Sequence, residues 1–171
     1  MQQKIHRAEP RDAVHQLDAE QLAQLLHPAG QLRRRGRSPR RGGQPRGGAL
    51  HQFPGRLLVM WQPHGFGPIR QMKDELIEMF ARDLAAKDTL IMPEPAYFGG
   101  TVDKSMGSNI IAEGVTAAGK QAFALEDRPA CGDRLVDLAQ PGDLIVVMGA
   151  RDDTLSEFAA DVLRRVGEKD F

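Results

Sequence analysis

The chain has 171 residues and a mass of 18.8 kDa, which suits one domain of about 100–150 residues with an additional segment. The single cysteine, Cys131, excludes an intramolecular disulfide and a zinc site built from several thiolates. No apolar run reaches the roughly 18 residues of a transmembrane helix, and the first nine residues lack the apolar stretch of a signal peptide. We therefore expect a cytoplasmic protein that does not contact a membrane.

The formal net charge of zero conceals a strongly basic N-terminal segment. Residues 1–50 contain ten Lys or Arg but only four acidic residues, and residues 31–49 contain seven arginines and no acid. This stretch has too few apolar residues to form a core, so we expect it to be poorly ordered. Three interpretations stay open: an arm that binds nucleic-acid phosphates, a solvated linker, or an out-of-frame translation of GC-rich coding DNA. Just ahead of it, spaced leucines predict a short helix over Asp18–His27.

From residue 49 onward, short apolar runs alternate with helical patterns. Four strands are predicted, over Arg56–Trp61, Thr89–Met92, Gln121–Leu125 and Leu144–Met148. Each is followed by a predicted helix: one opened by Pro68 and reaching Leu84, then Asn109–Ala118 capped by Ser108, Cys131–Ala139, and Leu155–Val166. This alternation predicts an α/β, Rossmann-like fold in which helices cover both faces of a mostly parallel sheet. The predicted domains are the basic segment 1–48 and the α/β domain 49–171.

In such sheets, ligands bind outside the carboxyl ends of the strands, so the loops there are the candidate site. The loop after the first of the four strands offers two glycines, Gly65 and Gly67, which allow a ligand to approach the backbone. The helix that follows presents free N–H groups to an anion. His64 and Arg70 could add an imidazole and a guanidinium. The alternative is structural, with His64 bound to a turn carbonyl and Arg70 paired with Asp74.

The other carboxyl-end loops supply further candidates. Tyr97 lies in the long loop 93–107, and Gly149 with Ala150 forms a second junction between a strand and a helix. We interpret Asp152 and Asp153 as helix caps and Cys131 as a structural thiol. No residue is assigned a catalytic role and no metal site is predicted. The turns at the opposite end, including 86–88, carry no side chain that suggests function.

Several nucleotide-binding and hydrolase motifs are absent. The sequence has no P-loop, no G-x-G-x-x-G after a strand, no G-x-S-x-G and no H-E-x-x-H. It does contain VMWQPHGFGPIR at residues 59–70, a Tyr97–Gly100 segment, and LIVVMGARDD at residues 144–153. From about Ala49 to Val166 the chain resembles the C-terminal domain of the Mur ligases, closest to the branch that contains the UDP-N-acetylmuramate–alanine ligases and the murein tripeptide ligases. The shared Gln-Pro-His is the most specific part of this resemblance.

The resemblance implies a Rossmann-like domain that binds the acceptor amino acid in an ATP-dependent ligase of peptidoglycan synthesis. In that family, arginines at the positions of Gly65 and Pro68 lie at the carboxylate of the acceptor; both are replaced here, and of the three arginines in the family motif only Arg70 survives. The candidate substrate-binding residues are those of the carboxyl-end loops: His64, Gly65, Gly67, Arg70, Tyr97, Gly149 and Ala150.

The chain has no counterpart of the family's ATP-binding and UDP-sugar domains, so we interpret it as a fragment that cannot ligate alone. We expect no cofactor in this chain; ATP and Mg²⁺ belong to a complete ligase, as does the UDP-sugar peptide precursor. The expected partner is an amino acid or small anion. Two alternative functions stay open: a non-enzymatic α/β module whose Arg-rich arm binds nucleic acid, and a stand-alone α/β protein that binds a small anion.

Overall fold

The computed structural model describes residues 14–17, 53–95, 105–149 and 152–171. The predicted helix Asp18–His27 and the Arg-rich stretch lie outside these ranges. The described strands are β1 Val14–Leu17, β2 Leu57–Gln62, β3 Thr89–Pro93, β4 Gln121–Leu125 and β5 Leu144–Gly149. The described helices are α1 Phe66–Asp83, α2 Ser108–Ala117, α3 Arg128–Leu138 and α4 Leu155–Gly167.

The five strands form one sheet in the order β1-β5-β2-β3-β4, and every pair is parallel. The predicted α/β fold is confirmed, as are the four predicted strands and their helices. Strand β1 was not predicted. It pairs with β5 in the register Val14↔Ile145, so four residues of the basic N-terminal segment lie in the sheet. A four-residue strand is too short for its sequence pattern to stand out.

Two apolar cores lie on the two faces of the sheet, and successive residues along one strand contribute their side chains to different cores. Leu57 and Val59 pack with helices α1 and α2, whereas Leu58 and Met60 pack with α3 and α4. All four side chains are buried. Full burial on both sides explains why the strands read as continuous apolar runs rather than as alternating patterns.

The starts of two helices differ from the prediction. Helix α1 begins at Phe66, two residues before Pro68, because Gly65 acts as its N-cap. Pro68 is then the third helical residue, where no intrahelical donor is required. Helix α3 begins at Arg128 rather than Cys131, because the Asp127 side chain accepts a hydrogen bond from the Ala130 N–H at 2.8 Å.

Helix α2 also departs from the predicted capping. Ser108 is its first helical residue and makes no side-chain cap, since Gly107 occupies the N-cap position. The buried Ser108 hydroxyl instead donates to the Pro93 carbonyl at 2.6 Å. This bond ties the start of α2 to the end of β3. Within the described ranges, no helix combines the length and hydropathy needed to cross a bilayer.

Candidate functional site

The sheet has a topological switch point between β2 and β5. From β2 the chain passes through α1 on one face to β3, whereas β5 lies on the other side of β2 and leads to α4 on the opposite face. The two strand ends lie side by side, with Gln62 in register with Gly149. The helices that follow them, α1 and α4, lie on opposite faces of the sheet, and we call the space beside the two strand ends the crevice. Crevices of this kind are where open α/β sheets bind ligands.

The loop after β2 presents an uncapped helix start at this crevice. Gly65 has an extended backbone, with φ 168°, and no side chain caps α1 or places an acidic group in its first turn. A side-chain atom added at Gly67 would meet no atom of the described residues within 4 Å, so these residues leave the first turn open to a ligand. The exposed His64 and Arg70 flank it in sequence. The backbone N–H groups of such a turn can bind an anion.

Opposite this loop, Asp152 is bound to three structural elements. Its Oδ2 accepts hydrogen bonds from Gln62 Nε2 at 2.8 Å and from Arg128 Nη1 at 3.1 Å. Its Oδ1 accepts from the Thr154 N–H at 3.0 Å and from the Thr154 hydroxyl at 2.5 Å. Asp152 therefore joins the end of β2 to the start of α3 and to Thr154, the N-cap residue of α4. The prediction that Asp152 and Asp153 cap α4 is wrong, because Thr154 occupies the N-cap position and no side-chain hydrogen bond caps the helix.

This network fixes the charge state of Asp152. Hydrogen bonds from Thr154 and Gln62, helped by the charge of Arg128, lower the pKa of Asp152 to about 2. The carboxylate is thus ionised at any pH near neutrality. Since the folded-state pKa lies below the usual value of about 3.9, Asp152 contributes stability above that value and loses it as the pH falls toward 2.

Gly149 has a packing role at the crevice. A Cβ at this position would lie 2.9 Å from Gln62 Cβ and 2.9 Å from Leu155 Cδ1. The absence of a side chain lets β5 approach the end of β2 closely enough for Gln62 to reach Asp152. Ala150 and Tyr97, the two other predicted site residues in these loops, lie outside the described residues.

The roles of Gln62 and Arg128 were not predicted from the sequence, whereas Thr154, a predicted cap candidate together with Asp153, does occupy the N-cap position of α4. Gln62 belongs to the Gln-Pro-His motif, but its partner Asp152 lies 90 residues away, and only the strand order brings the two together. Cys131 is buried, and burial raises the pKa of its thiol to about 12. This agrees with a structural thiol. Within residues 53–95, 105–149 and 152–171, no three His, Cys, Asp or Glu side chains converge as metal ligands would.

Comparisons with known proteins give a partial match. No family model matches the chain. It is 31% identical over 99 residues to UDP-N-acetylmuramate–L-alanine ligase from Synechococcus sp. (strain RCC307), which covers 58% of this chain and 20% of that protein. The enzyme of the same name from Saccharopolyspora erythraea is 31% identical over 117 residues, or 66% of this chain and 23% of that protein. The one from Burkholderia multivorans is 30% identical over 100 residues, which is 57% of this chain and 21% of that protein.

These matches confirm the resemblance to the Mur ligases. The chain spans about a fifth of the length of the curated relatives it matches.

Proposed function

We propose that this chain, as a relative of part of the Mur ligases, supplies the acceptor-binding domain of a UDP-N-acetylmuramate–amino acid ligase. Repeated matches to UDP-N-acetylmuramate–L-alanine ligases carry the proposal. The parallel α/β fold supports it, because the crevice between β2 and β5 lies at the edge of the sheet where such folds bind ligands. The domain would bind the amino acid and present its amine to a carboxylate activated elsewhere.

Each part of the crevice has a proposed task. The open first turn of α1 and the Arg70 guanidinium would hold the carboxylate of the acceptor. His64 is exposed beside them and would contact the carboxylate or accept a proton from the amine. Tyr97, Gly149 and Ala150 complete the proposed set. Gly65 and Pro68 stand where the alanine ligases have arginine, so Arg70 carries more of the acceptor selection here.

ATP and Mg²⁺ are assigned to the rest of a complete ligase. They would supply the energy for amide bond formation by activating the carboxylate. The described residues bring together no group of metal ligands, and the sequence has no P-loop. The proposed role of this chain is therefore to bind and orient the acceptor.

We expect the chain alone to release no phosphate from ATP in the presence of UDP-N-acetylmuramate and amino acids. Adding it to an L-alanine ligase that lacks its own C-terminal domain should produce phosphate release that depends on one amino acid. A coupled phosphate assay across the amino acids measures both. Activity of the chain alone would contradict the proposal, and so would failure of the mixture at concentrations where the two proteins demonstrably associate.

Arg70→Ala should weaken anion binding without unfolding the protein. Phosphate or acetate should bind the parent chain with millimolar affinity, because no partner domain encloses the site, and the variant should bind about fivefold more weakly. An exposed helix arginine contributes about 1 kcal/mol or less to stability. An NMR titration measures anion binding, and a thermal melt measures stability.

Arg164→Ala is the matched control for this variant. Arg164 is also an exposed helix arginine, but it lies near the end of α4 and pairs with Asp161 and Glu168 at 2.7 and 2.8 Å. We expect it to leave anion binding unchanged. If Arg70→Ala instead lowers the melting temperature sharply and leaves binding intact, Arg70 is a structural residue and this part of the site is wrong.

A further inference from the structure

Arg128 occupies a position that helix energetics do not favour. It is the first residue of α3, where the helix dipole is positive and a cation is disfavoured. The cap is already provided by Asp127. Arg128 is held instead by its environment: its Nη1 donates to Asp152 Oδ2 at 3.1 Å and to Thr154 Oγ1 at 2.9 Å, and its guanidinium lies 5.9 Å from the centroid of the Phe158 ring.

The geometry points to Arg128 as a further anion-binding residue of the crevice between β2 and β5, with Asp152 as the positioning residue that holds it there. The ligand is an oxyanion, a carboxylate or a phosphate. This inference rests on the proposed function, since it adds a second guanidinium to the acceptor site already assigned to Arg70. Arg128 begins α3, a helix that contains none of the residues of the sequence-predicted site.

The hydrogen bonds from Arg128 to Asp152 and Thr154 use one of the three guanidinium nitrogens. Both bonds to these residues come from Nη1, so neither uses Nε or Nη2. The Arg128 side chain is 29% exposed, so it is accessible to a ligand as well as fixed. A planar guanidinium held at one corner can offer its other N–H groups to the two oxygens of a carboxylate or phosphate.

Asp152 is suited to positioning because both of its carboxylate oxygens accept hydrogen bonds from neighbouring side chains or backbone. One carboxylate oxygen binds Thr154 twice, and the other binds Gln62 and Arg128. Its side chain is 23% exposed. The same carboxylate therefore fixes Arg128 and Gln62, which lies two residues before His64. This places the Arg128 guanidinium in one hydrogen-bonded network with the end of β2.

A purely structural ion pair makes a different prediction from a positioned binding residue. If Asp152 only neutralises Arg128, Asp152→Asn should strengthen anion binding, because the crevice gains one net positive charge. If Asp152 positions Arg128, the same substitution should weaken binding despite the added charge. The direction of the change therefore separates the two roles.

The experiment is an NMR titration of the full chain with inorganic phosphate and, separately, with acetate. We expect Arg128→Ala to raise the dissociation constant of phosphate about fivefold or more, and Arg128→Lys to raise it about twofold, because lysine keeps the charge but not the planar fork. Asp152→Asn should raise it about threefold. Arg134→Ala is the control: Arg134 is on the same helix, with its guanidinium 4.5 Å from the centroid of the Phe123 ring, and should leave binding unchanged.

Two results would overturn the inference. If Arg128→Ala binds phosphate as tightly as the parent chain, Arg128 is not part of the site. Should the alanine variant not fold, the same result for Arg128→Lys leads to the same conclusion. Tighter binding by Asp152→Asn removes the positioning role. The test is independent of catalysis. If the mixture with a truncated ligase is inactive while Arg128→Ala still weakens phosphate binding, the proposed function is wrong but this inference holds. If the mixture is active and Arg128→Ala binds phosphate unchanged, this inference is wrong but the proposed function holds.

Discussion

Phe80→Ala should lower the free energy of unfolding by about 3–5 kcal/mol, a large fraction of the stability of a domain of this size. Phe80 lies on α1, is fully buried, and its ring centroid is 5.7 Å from that of Trp61 at the end of β2. Removing the ring deletes apolar contacts and leaves a cavity that the sheet cannot close. Trp61 is the only tryptophan, so urea unfolding can be followed by its fluorescence.

Phe171→Ala is the control for this substitution. Phe171 is 64% exposed and its described ring contact is with Lys169, so its loss should change stability by less than about 0.5 kcal/mol. The Phe80 variant should also bind phosphate less tightly, because Trp61 directly precedes Gln62 and its loosened packing reaches the crevice. A loss of less than about 1 kcal/mol for Phe80→Ala would show that the core between α1 and β2 is not packed as described.

The strands could be predicted from the sequence because the physics that defines them is local. A strand covered on both faces needs apolar side chains at every position. A continuous apolar run such as residues 144–148 therefore predicts a buried strand. The helices could also be predicted, although not all of their starts: Gly119 marks the end of α2 by ordinary turn chemistry, whereas the cap provided by Asp127 was missed and the start of α3 was placed at Cys131. Gly119 has φ 81°, a conformation that favours glycine.

The strand order could not be read from the sequence. The alternation of strands and helices predicts a parallel sheet, but it does not say that β5 lies next to β2 rather than next to β4. That adjacency creates the switch point and brings Asp152 within 2.8 Å of Gln62. The sequence thus proposes the loop that contains His64 as a candidate site, whereas the contacts of Asp152 with Gln62 and Arg128 join residues that are far apart in the sequence.

Polar residues in turns were the other weak point of the prediction. Asp143 lies in the turn before β5 and forms two hydrogen bonds with Arg56, at 2.6 and 3.1 Å from Nη2 and Nε. Arg56 also donates to the Leu138 carbonyl at 2.7 Å. Arg56 thereby fixes the amino end of β2 to the turn before β5 and to the end of α3. A turn aspartate has the same local sequence signature whether it is solvated or buried.

Asp88 shows the same difference more sharply, and Asp88→Ala should lower the free energy of unfolding by about 2–4 kcal/mol. The residue is only 4% exposed. Its Oδ1 accepts a hydrogen bond from the buried Leu57 N–H at 2.9 Å, and its Oδ2 accepts from the Ala85 N–H at 2.8 Å. Alanine would leave the Leu57 donor buried without a partner, and an unmade buried bond is costly. Urea unfolding of the full chain measures the loss.

Two further variants show whether the lost acceptors cause this effect. Asp88→Asn retains one carbonyl oxygen for the Leu57 N–H, but its NH₂ group would face the Ala85 N–H, which is also a donor. Its free energy of unfolding should therefore lie between those of the parent and the alanine variant. Asp74→Ala is the surface control, because Asp74 is 75% exposed at the side chain and pairs only weakly with Lys73. Equal losses for Asp88→Ala and Asp74→Ala would mean that the carboxylate of Asp88 does not hold the start of β2. The expected order is Asp74→Ala, Asp88→Asn, Asp88→Ala, from the smallest loss of stability to the largest.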